Sequence, residues 1–322
     1  MANLSRRSRQ AKTDCLPCTV TSVVMAKRNI TMCTLSIALP IVCGVGSNAL
    51  AGKETMTQSN AVAPYMIVTS DTHVSCPDGR WPQATSHFKA FLSSLKTDPP
   101  EILFVNGDIV DNIVIENGKP VVGTVQHWEK DVAAYRSAIE PYKEIDFRGS
   151  LGPSHDFGGD GDIPKALAGD KLCSPRGSFT WQGFDFVWIS GKLHSFSNVP
   201  AKREESFDPD DLRWLDRELA GKKRVILLFH VPLRTVETAK HGRWAGNRNI
   251  TIPPEDQIYD VIDRHLDKIE LIFHGHIHHV IETEYKGIPI RMSPFYGQGH
   301  YSKVSVDGDA LRVKLHTFRR SP

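Results

Sequence analysis

The sequence predicts an α/β sandwich, and three observations predict it. Short β-rich apolar runs alternate with helical patterns, the signature of folds that lay helices on sheets. The runs from Val225 to Phe229 and from Leu271 to Phe273 are apolar without a break, as strands covered on both faces are. The C-terminal part changes to hairpin signals. Lys286-Gly287 sits between β-rich arms running from Glu282 to Met292, and Asp307-Gly308 between alternating arms running from Val304 to Leu315. Hairpins placed after a helix-strand series indicate a second sheet, not a second domain.

Taken in chain order, Tyr65-Met66-Ile67-Val68 reads as the first strand, and Phe88 to Leu95 as a helix. Ile102 to Val105 is a second strand. Trp128 to Ile139 is a second helix, because Trp128, Val132, Tyr135 and Ile139 recur every three or four residues. Ile145-Asp146-Phe147 and Phe184 to Ile189 read as further strands, and Leu212, Leu215 and Leu219 as a helix stripe.

The chain of 322 residues is 40% hydrophobic and 24% charged, which excludes a disordered, collagenous or coiled-coil protein. A net charge of +2 gives no case for nucleic acid or membrane binding, and six cysteines are too few for a disulfide scaffold. Residues 1–51 differ from the rest. They hold six basic residues (Arg6, Arg7, Arg9, Lys12, Lys27, Arg28), one acid (Asp14) and four of the cysteines. Lys27-Arg28, the apolar stretch from Ile30 to Val45 and Ala49-Leu50-Ala51 read as an export signal cleaved near Ala51. Pro40 and the scattered Ser and Thr argue against a retained span, which needs roughly 20 mostly apolar residues. The expected division is a leader over 1–51, a linker over 52–64 and one domain over 65–322, exported to a periplasmic or extracellular space. Cys76 and Cys173 are then the remaining cysteines and a candidate disulfide.

The residues just beyond the strand ends carry the chemistry. In turn these are Asp71-Thr72-His73, Asn106-Gly107-Asp108-Ile109-Val110-Asp111, Gly152-Pro153-Ser154-His155-Asp156, His230-Val231-Pro232 and His274-Gly275-His276-Ile277-His278. Polar groups at strand ends of an α/β sheet converge on one edge. Carboxylate and imidazole together, without thiolate, suit Mn, Fe, Zn or similar divalent ions. One carboxylate such as Asp108 can bridge two cations roughly 3.5–4 Å apart.

These motifs resemble those of the calcineurin-like metallophosphoesterase superfamily, over nearly the whole chain beyond Tyr65. The matching pieces are DxH (Asp71, His73), GDxxD (Gly107, Asp108, Asp111), a GNHD-like Ser154-His155-Asp156, His230, and GHxH (Gly275, His276, His278). The resemblance implies two mixed sheets flanked by helices. It implies two divalent ions (Mn, Fe or Zn), the first held by Asp71, His73 and His278, the second by His230 and His276, with Asp108 shared. His155 would contact the phosphate and help protonate the leaving group. Asn106, Asp111 and Asp156 would stand behind the ligands, the two acids orienting imidazoles. Two departures matter. Ser154 replaces the family's metal-binding asparagine, which implies a weaker second site, a water in place of the amide, or no second site. Asp111 stands where purple acid phosphatases carry a metal-binding tyrosine, so a tyrosine-bound iron is not expected.

The implied reaction is hydrolysis of a phosphate mono- or diester by a metal-acidified water, with a small-molecule or nucleotide-type ester as partner. The substitution at Ser154 also raises a member that binds without turnover. An exported nuclease is a further reading, but no basic, aromatic-rich groove is legible. His194, Arg243 and His300 are candidate substrate contacts, Arg243 within the basic loop Lys240 to Arg248.

Overall fold

A computed structural model describes residues 22–24, 63–77, 79–153, 155–156, 174–193, 205–241, 243–244, 248–249, 251–293 and 299–318. The leader and linker therefore lie outside the described residues, apart from residues 63–64 and Ser22–Val24, which pairs antiparallel with Ala310–Thr317.

Two six-stranded mixed sheets face each other, with helices on their outer sides. In the first sheet Tyr65–Thr69, Ile102–Asn106 and Asp146–Ser150 run parallel. Helices Ala84–Ser94 and Val125–Ile139 lie between these strands in the chain. In the second, Phe184–Ile189, Val225–Leu228, Ile269–His274 and Ile288–Met292 run parallel.

Strand parity explains why the strands read as unbroken apolar runs. Met66, Val68 and Phe104 face the other sheet, where they meet Phe186, Trp188, Ile226, Leu228 and Phe273. Their neighbours Ile67, Leu103 and Val105 turn outward onto Phe88, Phe91 and Trp128 of the helices. On the far side Val187, Val225, Leu227 and Ile272 pack against Leu212, Leu215, Leu219 and Ile262. Alternate residues of one strand thus enter two different cores, and neither face can be polar.

The helices begin where their chemistry says. Thr124 caps Val125–Ile139, its side chain accepting from the His127 N–H. Pro209 opens Pro209–Ala220 in the first turn, where its missing N–H costs nothing, with Asp210 and Asp211 beside it at the positive end of the helix dipole.

The C-terminal hairpins do not make a sheet of their own. His300–Asp307 and Ala310–Thr317 join the first sheet, Ser302 lying opposite Val68. Glu282–Tyr285 and Ile288–Met292 join the second. Each hairpin adds two strands to one side of its sheet. A further hairpin, Ile113–Glu116 with Lys119–Val122, turns at Asn117-Gly118, both left-handed with φ of 51° and 74°. No helix among the described residues is long and apolar enough to cross a membrane.

Candidate metal centre

The carboxyl ends of the parallel strands of both sheets open on one edge. The first sheet delivers Asp71 and His73 after Thr69, Asp108 and Asp111 after Asn106, and His155 after Ser150. The second delivers His230 after Leu228, and His276 and His278 after His274. The loops are tied together by backbone. Asp71 N donates to Gly107 O at 3.0 Å, His73 N to Asp108 O at 3.0 Å, and Gly275 N to His230 O at 2.8 Å.

The backbone here is strained. Asp71, His73, Asp108, His276 and His278 all sit in the left-handed region, with φ of 55°, 43°, 49°, 71° and 61°. Such conformations are uncommon outside glycine and persist where the surroundings over-determine them, which is typical of functional sites. Two glycines permit the approach. A Cβ on Gly107, itself at φ 80°, would sit 2.5 Å from His230 Nδ1. One on Gly275 would sit 2.8 Å from the same atom and 2.9 Å from Asp71 Oδ2.

The side chains fall into overlapping groups whose donor atoms lie within 4.8 Å of one another: Asp71, His73 and His278; His73, Asp108 and His155; Asp108, His230 and His276. Asp71 Oδ1 lies 3.0 Å from His278 Nε2 and 3.8 Å from His73 Nε2. Asp108 Oδ2 lies 3.1 Å from His230 Nε2 and 3.9 Å from both His73 Nε2 and His155 Nε2. Asp108 is the member common to the two groups that contain His155 and His230. Asp71, Asp108 and His230 are fully or almost fully buried.

Charge and proton positions suit divalent cations. Burial opposes the charge on His230, but Asp108 and Asp71 outweigh it and push the imidazole up to about 10. Burial alone would raise Asp71 and Asp108. The imidazoles reverse this, chiefly His278 at Asp71 and His230 at Asp108, and hold both carboxylates well below their ordinary range. Burial pushes His73 down to about 4 and His276 to about 3, so both offer neutral lone pairs. His230 Nδ1 faces the Asn106 carbonyl at 2.8 Å and must donate to it. Its Nε2 is left against a carboxylate oxygen and has no other hydrogen-bond partner among the described residues. A proton or a cation is needed between those atoms, and the O and N donor set fits Mn, Fe or Zn.

Metal-stripped protein should feel this proton directly. Because the folded value of His230 lies above the ordinary 6.5, its pairing stabilises the fold fully below pH 6.5 and ceases to do so as pH rises through about 10. Asp156, which burial and then Asp108 push up to about 7, has completed its titration by then. Between about pH 8.5 and 10 the melting temperature of stripped protein is therefore expected to fall, while that of metal-loaded protein holds. Scanning calorimetry of both forms checks this, and parallel curves would contradict it.

Behind the ligands, Asp111 Oδ1 lies 3.5 Å from His73 Nδ1 and 3.4 Å from His155 Nδ1 and accepts from Arg80 Nη2 at 2.7 Å. Asn106 holds the sheets together, its amide donating to Phe229 O and Phe273 O while Ser150 donates to its oxygen. Among the described residues Asp156 makes no hydrogen bond to an imidazole. It accepts the backbone N–H groups of Gly152, Ile109 and Val110 at 2.6, 3.1 and 3.0 Å, because the tight loops leave those amides without strand partners.

Other residues are revealed only by the fold. Asp131, buried in the second helix, accepts from Cys76 N at 2.6 Å and Asn112 N at 3.0 Å, one just after each first-sheet ligand loop. Its spacing in the helix carries no sequence signal of this. His274, pushed by burial to about 3, joins Phe229 O to Leu233 N. Asp131→Ala is expected to lower stability by about 2–3 kcal/mol, since two buried amides lose their acceptor. It should also weaken metal binding by about 10–100-fold. Urea unfolding and metal titration read the two effects, and an unchanged metal affinity would refute the positioning role.

Ser154, His194 and Cys173 lie outside the described residues, as does the side chain of Arg243. His300 stands on the site's edge of the first sheet, but its Nδ1 is 3.1 Å from Thr317 Oγ1. Cys76 is buried beside Asp131.

Known proteins share this fold. Residues 65–280 match the family described as calcineurin-like phosphoesterase. Metallophosphoesterase 1 of Cricetulus griseus is 24% identical over 226 residues, 62% of this chain and 55% of that protein. Metallophosphoesterase 1 of Ailuropoda melanoleuca is 24% identical over 224 residues, covering 61% and 54%. The chain thus spans about half the length of these curated relatives. Among solved structures, a dimetal phosphatase from Danio rerio superposes with a TM-score of 0.58 at 11% identity, covering 79% of this chain and 96% of that one. A purple acid phosphatase from yellow lupin gives 0.52 at 13% identity, covering 79% and 51%. At such identities the structural likeness is one of fold. With the family match spanning most of the chain, this protein belongs to the calcineurin-like phosphoesterase family.

Proposed function

We propose that the protein is a metal-dependent hydrolase of phosphate mono- or diesters. In this reading Asp71, His73 and His278 hold one divalent ion, His230 and His276 hold a second, and Asp108 is shared. The observation that carries it is Asp108, a buried carboxylate whose oxygen lies within 4 Å of imidazoles from both sheets.

Bound there, two cations would acidify a coordinated water and neutralise charge building on the phosphoryl oxygens. The chain's own residues do the rest. His155 Nδ1 lies 2.6 Å from the Asp111 carbonyl, which can only accept, so Nδ1 carries a proton. Nε2 is turned to the Asp108 side of the site, and with a proton there as well the imidazolium could pass that proton to the departing oxygen and return to the neutral Nδ1–H form. Asp111 keeps the His73 and His155 rings in register, and Arg80 balances its charge. Export of the mature chain is part of the same proposal, since a leader over 1–51 would place the site outside the cytoplasm.

The test is metal content and release of p-nitrophenol from p-nitrophenyl phosphate and its diester, with Mn, Fe or Zn restored to stripped protein. Two ions per chain with metal-dependent turnover support the reading. A protein that takes up no metal and stays inactive with all three would overturn it.

A further inference from the structure

One aromatic side chain stands at the ligands without belonging to them. The Trp81 indole lies 4.5 Å from the His73 ring, centre to centre and nearly perpendicular, and 6.2 Å from that of His278. It is only partly buried, and among the described residues it belongs to none of the apolar cores. Its position is held by charge. The Arg80 guanidinium sits 3.9 Å from the indole centre. The same guanidinium donates to the buried Asp111 carboxylate, which reaches His73 and His155. The His155 ring lies 4.6 Å from that of His73, again nearly perpendicular. One imidazole of the site is therefore flanked by both His155 and Trp81.

The indole keeps part of its surface in solvent beside His73 and His278. His155 and the indole both lie against the His73 ring, at 4.6 and 4.5 Å between centres.

We propose that Trp81 is a specificity-determining residue: it forms the wall against which an aromatic leaving group packs, so the favoured substrates are aryl or nucleoside phosphate esters. Aromatic rings gain from edge-to-face or offset contact with such a wall, and an alkyl group does not gain equally. The proposal rests on the phosphoesterase reading above.

The experiment compares two non-hydrolysable probes, phenylphosphonate and methylphosphonate, binding to manganese-loaded protein by calorimetry, with metal content measured on the same samples. Wild type should prefer phenylphosphonate by about tenfold. Trp81→Ala should abolish that preference while keeping its metal and its methylphosphonate affinity, and Trp81→Phe should retain most of the preference. In turnover, kcat/KM for p-nitrophenyl phosphate relative to glycerol phosphate should fall about tenfold in Trp81→Ala, through KM. Uridine and adenosine monophosphates against p-nitrophenyl phosphate then separate nucleoside from aryl preference. If Trp81→Ala keeps the phenyl preference, or loses both phosphonates alike, in a wild type shown to be active, the inference alone is overturned. A wild type that binds neither phosphonate and releases no p-nitrophenol would overturn the phosphoesterase reading and this inference with it.

Discussion

Asp108→Asn is expected to lower kcat/KM for p-nitrophenyl phosphate by about 10³-fold or more, and to reduce bound metal from two ions per chain to one or none. The substitution isolates charge from shape. Asparagine has nearly the volume of aspartate and, like it, tolerates the left-handed backbone found here, where φ is 49°. What is lost is the second anionic oxygen and the negative charge that faces His230 at 3.1 Å and His73 and His155 at 3.9 Å. An amide has one acceptor oxygen and cannot serve two cations as a carboxylate does. Elemental analysis and steady-state kinetics on one preparation read both effects. Wild-type activity with two ions retained would show that Asp108 is not the shared ligand.

His155→Ala should separate from this cleanly. Removing a general acid costs about 10²–10⁴-fold in kcat. Here the loss should come with two ions still bound, because His155 is a proposed ligand of neither ion and its Nε2 stands 3.9 Å from Asp108. The loss should also depend on the leaving group. p-Nitrophenolate departs readily without a proton, whereas an alkoxide does not. The defect is therefore expected to be mild with p-nitrophenyl phosphate and large with glycerol phosphate. Equal defects with both esters would remove His155 from proton transfer and leave it a phosphate contact.

Much of the fold was legible because the rules that shape it are local. Val225 to Leu228 is apolar throughout, and a strand with both faces covered cannot read otherwise. Trp128, Val132, Tyr135 and Ile139 announced their helix by spacing alone, and all are buried on it. The short strand-end motifs DxH and GHxH were legible for a similar reason. Ligand atoms must meet within a few ångströms, so their residues crowd into tight loops at fixed spacing.

Other features leave no such trace. The pairing of Ser302 with Val68 joins segments more than two hundred residues apart and is not set by either residue's neighbours in the chain. Asp156 looked like a carboxylate for an imidazole, yet backbone amides claimed it once the loops closed. Asp131 and Trp81 each sit far in sequence from residues they touch, Asp131 from Cys76 and Trp81 from His278.

The sequence by itself determined the sandwich, the order of its elements and the side chains able to hold cations, because periodicity, turn chemistry and ligand type are properties of short segments. Only the tertiary structure decided which imidazoles lie around Asp108, which carboxylate backs an imidazole and which binds backbone, and which aromatic ring lies against His73. Those choices depend on distances between residues far apart in the chain, and such distances exist only after two sheets have packed face to face.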